Sequence, residues 1–286
     1  MSIKSDLNYW LGKYNIKPNK RLGQCFLISE KALFMIIAVA NIQKRDKVLE
    51  IGPGTGILTE KLIKAGATVL AVEKDSRLIN ILKNRFSQNI KNKQLILLHT
   101  DFLKLKFPDF LKKYNFTDKH FKVVANLPYQ ITSPVIEILL ERNFLPLLVA
   151  LTIQKEVAER ICAKTGDLSS LAVLVQTCTQ KCKSVAKFPG SYFYPQPEVN
   201  SALLKLEGFS YPEGIEIKKL RQIVRIGFSQ KRKKLKKNLQ NVFGKEIIEN
   251  IWKKLNLTEN IRAQELPVEK WIEIVKELKV KIEKLK

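Results

Sequence analysis

Val123-Val124-Ala125-Asn126-Leu127-Pro128-Tyr129, followed by Gln130-Ile131-Thr132-Ser133-Pro134, is the stretch from which the rest of this 286-residue chain is read. Phe121 to Ala125 is a short apolar run of the kind that forms a buried strand. It ends in an amide, a proline and an aromatic ring. Pro128 fixes its own φ and turns Leu127 away from the helical region, so the turn is stiff. Asn126 then projects its side-chain carbonyl from the carboxyl end of the strand, where open α/β sheets place ligands. An Asn oxygen and a nearby main-chain carbonyl can together accept both hydrogens of an exocyclic amine. Tyr129 can lie flat against a base. The same four residues also read as a strand ending in a Pro turn, with Tyr129 half-buried.

Working outward, Lys47 to Ile51 is a second apolar run, and it enters Gly52-Pro53-Gly54-Thr55-Gly56. Leu58, Leu62 and Ile63 then follow at helical spacing. Glycines allow a tight turn and a close approach of backbone to a ligand at a helix N-terminus. The spacing is G-x-G-x-G, not the G-x-G-x-x-G of dinucleotide enzymes. A strand over Thr68 to Val72 ends in Glu73, which stands 21 residues after Gly52, near the ~20-residue offset of a ribose-binding carboxylate. A further strand, Gln94 to His99, delivers Asp101 and Phe102. Asp101 either accepts from an adenine amino group, with Phe102 beside the ring, or caps the next turn. Ser133 to Arg142 reads as a helix with proline in its first turn. Leu147 to Ile153 reads as a strand, and Gln154 to Ala163 and Ser169 to Thr179 as helices. Lys183 to Phe188 and Ser201 to Leu206 complete a set of seven strands. The alternation predicts an α/β fold, a mostly parallel Rossmann-like sheet with helices on both faces.

Composition shifts around Gly208 to Gly214, which predicts a boundary between residues 1–210 and a small all-helical domain over 211–286. Helices are predicted over Ile215 to Phe228, Lys234 to Phe243, Lys245 to Leu255 and Val268 to Lys284. The whole chain carries a net charge of +24. Ile215 to Lys286 holds 20 Lys/Arg against 9 Glu, a balance of +11, densest in Lys231-Arg232-Lys233-Lys234-Leu235-Lys236-Lys237. A charge run is either a solvated face or an electrostatic footprint, and its clustering favours a polyanionic partner. No window of about 18 uncharged apolar residues predicts a membrane span. Met1 to Lys20 has no apolar signal segment, so a cytoplasmic protein is expected. Cys25, Cys162, Cys178 and Cys182 include no C-x-x-C pair, and Cys178 and Cys182 either share a helix face or bracket a turn. Buried or indifferent thiols are expected, with neither a metal site nor a disulfide.

Asn126-Leu127-Pro128-Tyr129 after an apolar strand is similar to the signature of amine methyltransferases. With its flanking sequence the chain resembles the ribosomal RNA adenine N6-dimethyltransferase family, and most of all its bacterial small-subunit branch. Gly23, Gln24, Phe26 and Leu27 match the family's Gly-Gln-Asn-Phe-Leu motif, with Cys25 in place of the usual Asn or His. The loop from Phe193 through Pro195, Pro197 and Val199 to Ser201 is similar to its Phe-x-Pro-x-Pro-x-Val-x-Ser segment. Phe228 to Leu235 and Arg262-Ala263-Gln264-Glu265-Leu266 match two motifs of its small domain.

The resemblance implies an S-adenosylmethionine-dependent enzyme that dimethylates N6 of two adjacent adenosines near the 3′ end of small-subunit rRNA. Leu27, Gly52, Gly54, Gly56, Glu73, Asp101, Phe102 and Asn126 are then the cofactor-binding set, and Glu50 before the glycines also suits such an enzyme. Asn126, Leu127, Pro128, Tyr129 and Phe193 are the catalytic set, with the two aromatics clamping the base. Lys231, Arg232, Lys233 and Lys234 are the expected RNA contacts. The expected partner is the precursor small ribosomal subunit, met by a monomer. The alternatives are a large-subunit rRNA adenine methyltransferase of the macrolide-resistance type, whose motif usually has Ile at the position of Leu127, and a non-catalytic ribosome assembly factor.

Overall fold

The computed structural model describes residues 2–19, 22–107, 109–141, 144–230 and 232–283. Lys231, one of the expected RNA contacts, lies outside them, as do Arg142 and Lys284, the expected ends of two helices. The chain runs through α1 (Ile3–Lys13), β1 (Phe26–Leu27), α2 (Glu30–Val39), β2 (Lys47–Ile51), α3 (Ile57–Lys64), β3 (Thr68–Glu73), α4 (Ser76–Arg85) and α5 (Ser87–Lys91). Next come β4 (Leu95–His99), α6 (Asp109–Lys113), β5 (Phe121–Asn126), α7 (Thr132–Glu141), β6 (Leu148–Gln154), α8 (Lys155–Ile161), α9 (Ser170–Cys178) and β7 (Thr179–Phe188). It ends with β8 (Phe193–Tyr194), β9 (Ser201–Phe209), α10 (Ile217–Gly227), α11 (Leu235–Phe243), α12 (Lys245–Lys254) and α13 (Val268–Glu283).

Seven strands form one sheet in the order β4-β3-β2-β5-β6-β9-β7. The pairs from β4 to β6 are parallel, and β9 runs antiparallel to β6. Val48, Leu49, Leu70, Ala71, Val123, Val124, Ala150 and Leu151 are fully buried, as continuous apolar runs must be in strands covered on both faces. From β2 the chain moves outward to β3 and β4, then returns to place β5 on the other side of β2. The strand order reverses between β2 and β5. The crevice at their carboxyl ends is where such sheets bind ligands. The glycine turn leaves β2 there, and Asn126 ends β5 there.

The chain divides into two compact units. The first comprises Met1–Ala158 and Lys183–Phe209, and the second Glu159–Cys182 and Ser210–Lys286. The expected boundary at residue 210 therefore misses one excursion, because Glu159–Cys182 packs with the C-terminal helices. The physical reason lies in α9, whose apolar residues Ala172, Val173, Leu174 and Val175 are buried and which packs against α10 and α13. The loop before it is pinned as well: the amides of Gly166 and Leu168 both donate to the Gln264 carbonyl, at 3.0 and 3.3 Å. Within this unit α10 buries Leu220, Ile223, Val224 and Gly227 on one face. A side chain at Gly227 would meet the Trp271 ring at 2.3 Å, so glycine sets how closely α10 approaches α13. The Trp271 ring also stacks on Phe228, with centroids 5.7 Å apart.

Candidate active site

The crevice is a cavity of about 270 Å³ in the first unit, walled by the glycine turn, the ends of β3, β4 and β5, and the β1 segment. Gly54 is left-handed at φ +64°, a conformation other residues rarely hold. Its amide donates to Glu73 Oε2 at 3.1 Å. The other carboxylate oxygen of Glu73 accepts from the Lys74 and Asp75 amides, each at 2.8 Å. Burial pushes the Glu73 carboxyl up, while these amides pull it back toward the ionised form. Glu73 thus ties the glycine turn to the end of β3 and keeps acceptor capacity for a hydroxyl donor.

Of the two roles open to it in the sequence, Asp101 takes that of a cap. Its Oδ1 accepts from the Leu103 amide at 3.0 Å and caps the turn over Phe102–Lys104, while Oδ2 pairs with Lys74 Nζ at 2.8 Å. Burial raises the Asp101 carboxyl, but the Lys74 ammonium, the Leu103 amide and the charge of Lys104 outweigh it and hold the pKa below the usual range. Phe102 and Leu27 are buried beside the cavity and line it.

Of the expected cofactor residues, Gly56 is the one not on the cavity wall. It stands at φ +88° as the cap of α3, and a Cβ there would lie 2.3 Å from the Phe86 ring. Glycine at this position serves the packing of α3 against the end of α4.

At the other end of the cavity, Asn126 Nδ2 donates to the Cys25 carbonyl at 3.0 Å. One hydrogen of the amide nitrogen is thereby occupied, which fixes the amide and leaves Oδ1 as the acceptor. Cys25 acts here through its main chain, so replacing the usual Asn or His leaves this anchor in place. The Leu127 amide donates to Thr152 O at 3.1 Å, and the Pro128 carbonyl accepts from the Ile131 amide at 3.1 Å. The Tyr129 hydroxyl is tethered to Ser201 Oγ at 2.8 Å, which fixes the ring by its far end. Phe193 reaches the same cavity because β8 pairs antiparallel with β1, setting Phe193 opposite Leu27. The structure therefore brings Leu27, Gly52, Gly54, Glu73, Asp101, Phe102, Asn126, Leu127, Pro128, Tyr129 and Phe193 to one cavity.

Several further residues support the site, and some of them carried no signal in the sequence. Gln24 spans the base of the site, accepting from the Asn19 amide at 2.8 Å and donating to Asp75 Oδ2 at 2.9 Å. The buried Arg85 side chain holds the glycine turn from behind: its Nη1 donates to Asp6 at 2.7 Å and to the Thr55 carbonyl at 3.3 Å, and its Nη2 pairs with Glu60. An acid in the N-terminal helix and a basic residue ending α4 carry no joint sequence signal. Thr55 Oγ1 is buried on the wall with no partner among the described residues. Glu50 is buried too, accepts from Thr59 Oγ1 at 2.7 Å, and is pushed up to about 8 chiefly by burial.

These residues fit S-adenosylmethionine. Among the described residues the wall holds the carboxylates Glu73 and Asp101, with Glu50 keeping its proton at neutral pH, against one cation, Lys74. An acidic cavity suits a ligand bearing a sulfonium and an ammonium, and the orphaned Thr55 hydroxyl offers a further polar contact.

In the second unit Arg232, Lys233 and Lys234 are exposed before α11 and carry no ion pair among the described residues. Lys236, by contrast, is neutralised by Glu259 at 2.7 Å. Among the described residues no helix is long and apolar enough to cross a membrane.

Known proteins agree with this geometry. A family model described as ribosomal RNA adenine dimethylase matches residues 15–280. A ribosomal RNA small subunit methyltransferase A from Nostoc sp. is 38% identical over 271 residues, covering 91% of this chain and 97% of its own. Its namesake from Ureaplasma parvum is 37% identical, covering 92% and 94%. Among solved structures, a dimethyladenosine transferase from Plasmodium falciparum superposes with a TM-score of 0.74 at 29% identity, covering 90% of this chain and 98% of that one. The 23S rRNA methyltransferase ErmE gives 0.64 at 25% identity, covering 89% and 99%. A matching family model over nearly the whole chain, on a methyltransferase sheet with its cavity at the β2–β5 switch, leads to one assignment: the chain belongs to the ribosomal RNA adenine dimethylase family.

Proposed function

We propose that this protein transfers methyl groups from S-adenosylmethionine to N6 of two adjacent adenosines near the 3′ end of small-subunit rRNA. It does so on the precursor small ribosomal subunit during assembly, as a cytoplasmic monomer. The observation that carries the reading is the anchored Asn126 amide, which gives one hydrogen to Cys25 O and leaves its acceptor end for an amine.

Gly52 and Gly54 wall the methionine end of the cofactor site, Glu73 takes the ribose hydroxyls, Asp101 and Phe102 take the adenine, and Leu27 covers one side. When bound, the cofactor supplies an electrophilic methyl group on its sulfonium. Adenine N6 is a poor nucleophile because its lone pair is delocalised into the ring. Asn126 Oδ1 and the Leu127 carbonyl accept the two amine hydrogens, which favours a pyramidal nitrogen with its lone pair directed at the methyl group. Positive charge developing on N6 then meets two fixed dipoles, a preorganised electrostatic stabilisation. The rest is orientation. The target base must leave its stack to enter, and stacking on Tyr129, held by Ser201, and on Phe193, held by the β1–β8 pairing, offsets that cost. Arg232, Lys233 and Lys234, with Lys231 beside them in sequence, hold the RNA backbone.

The choice of the small subunit rests on relatives of that name at 37–38% identity over nine-tenths or more of the chain. The structural likeness to ErmE supports the large-subunit alternative less, at lower identity. Methylation of precursor small subunits by the wild type and by Asn126→Ala tests the mechanism. The variant is expected to lose about 10²–10³-fold in turnover, the scale of removing one preorganised dipole, with cofactor affinity little changed. Near wild-type turnover would remove Asn126 from the mechanism. A wild type that methylates only large-subunit rRNA would overturn the substrate.

A further inference from the structure

Away from the cavity, two thiols of the second unit meet. Cys162, just past α8, and Cys182, on β7, have their sulfurs 2.8 Å apart, and both side chains are partly exposed. They line a separate open cavity of about 410 Å³ with Lys164, Gln176, Gln180 and Glu269. The Cys162 backbone is held from both sides, because Gln176 Nε2 donates to the carbonyls of Ile161 and Ala163, each at 2.9 Å. The two sulfurs need approach by less than 1 Å to reach the ~2.0 Å of a disulfide. Cys178, the neighbour that the four-residue spacing singles out, is fully buried and does not take part.

We propose that Cys162 and Cys182 form a dithiol site that is oxidised reversibly by a low-molecular-weight disulfide such as oxidised glutathione. Written RSSR, the oxidant is attacked by the Cys162 sulfur, which forms a mixed disulfide and releases one RS⁻. The Cys182 sulfur then attacks Cys162, displacing the second RS⁻, and the two thiol protons end on the two leaving groups. The balance is two protein thiols and one RSSR to one protein disulfide and two RSH. Either thiol can donate to the other across this contact, so the same exchange runs with the two sulfurs in the opposite order and ends in the same disulfide. Cys178 stays out of the exchange, since burial pushes its thiol up to about 12.

The full-length protein, incubated with oxidised glutathione, alkylated without reduction and mapped by peptide mass spectrometry, tests this. The expected product is a Cys162–Cys182 cross-link lacking two hydrogens, with no glutathione on either residue and full reversal by a reductant. In Cys182→Ser the second step is blocked, and glutathione should remain on Cys162. The proposal is overturned if both cysteines of the wild type are alkylated, or if either keeps a stable glutathione adduct, when dithiothreitol in the same buffer is fully oxidised. A cross-link to Cys178 instead would overturn it as well.

Discussion

The cavity of the first unit and the surface of the second carry opposite charge within one chain of net charge +24. Among the described residues the cavity sets Glu73 and Asp101, beside a protonated Glu50, against Lys74 alone. The second unit instead presents Arg232, Lys233 and Lys234 without acidic partners among those residues, beside a Lys236 already matched by Glu259. The difference teaches how one basic protein handles two ligands of opposite sign. On the proposed function a small cation meets the acids of the cavity, where the field of distant lysines is screened over about 10 Å. On the same reading a polyanion meets exposed cations in number. The comparison breaks if a change in one region alters the other's ligand.

The largest effect on binding is expected from Glu73→Ala. The carboxylate holds the Gly54 amide as well as the proposed ribose contact, so its loss both removes a charged hydrogen bond and frees the glycine turn. S-adenosylmethionine binding should weaken by about 1.5–3 kcal/mol, measured by calorimetry. Affinity for precursor rRNA at a given salt concentration should not change. Unaltered cofactor binding would remove Glu73 from the site, and a parallel loss of RNA binding would end the separation of the two regions.

A smaller effect concerns how much charge the cavity carries before any ligand arrives. Burial, offset by the Thr59 hydrogen bond and reinforced by the charge of Glu73, pushes Glu50 up to about 8 from 4.5. At neutral pH the folded protein therefore keeps a proton that the unfolded chain has lost. The group's stabilising contribution is complete below 4.5 and is lost as pH rises through about 8, by at most about 1.4 kcal/mol per pH unit. Glu50→Gln keeps a neutral hydrogen-bonding group and should flatten this dependence. Urea unfolding of both proteins between pH 6 and pH 8, where Gln gains relative to Glu, decides it. Parallel curves would mean that Glu50 is ionised in the folded protein and that the cavity carries a further negative charge.

The two regions also differ in how much of them could be read from sequence. The glycine turn, Glu73, Asp101 and the Asn126 turn were legible because each sits at the end of a strand marked by its own apolar run. The four C-terminal helices were legible from their periodicity, and each falls within two residues of its expected ends where described. What escaped depends on partners far apart in the chain. Phe193 was named through the resemblance alone, and what escaped is how it gets there, by the two-residue β1–β8 pairing, too short to announce itself as strands. Arg85 matters because Asp6, Thr55 and Glu60 converge on it. Glu159–Cys182 reads as a continuation of the sheet domain until α9 is seen against α10 and α13, and with it the pairing of Cys162 with Cys182 instead of Cys178.

The smallest effect per residue is expected at the basic surface, where each cation stands in water and acts through counterion release. Replacing Arg232, Lys233 and Lys234 together with Ala should weaken binding to the precursor small subunit and flatten the slope of log K against log salt. For single- and double-stranded nucleic acids the change is about 0.7 to 0.9 for each phosphate no longer neutralised. The weakening should be plain at low salt and fade as salt rises, which separates it from a packing defect that would persist. Leu235, the next residue, is buried and stays unaltered, so the start of α11 keeps its anchor. Cofactor affinity measured on the free protein should match the wild type, because the acids that hold the cofactor lie within the first unit. A Lys236→Ala control should move the slope less than any one of the three, since Glu259 already neutralises that ammonium. Equal slopes for the triple variant and the wild type would leave these residues as a solvated face, and the RNA footprint would have to be sought on other cations.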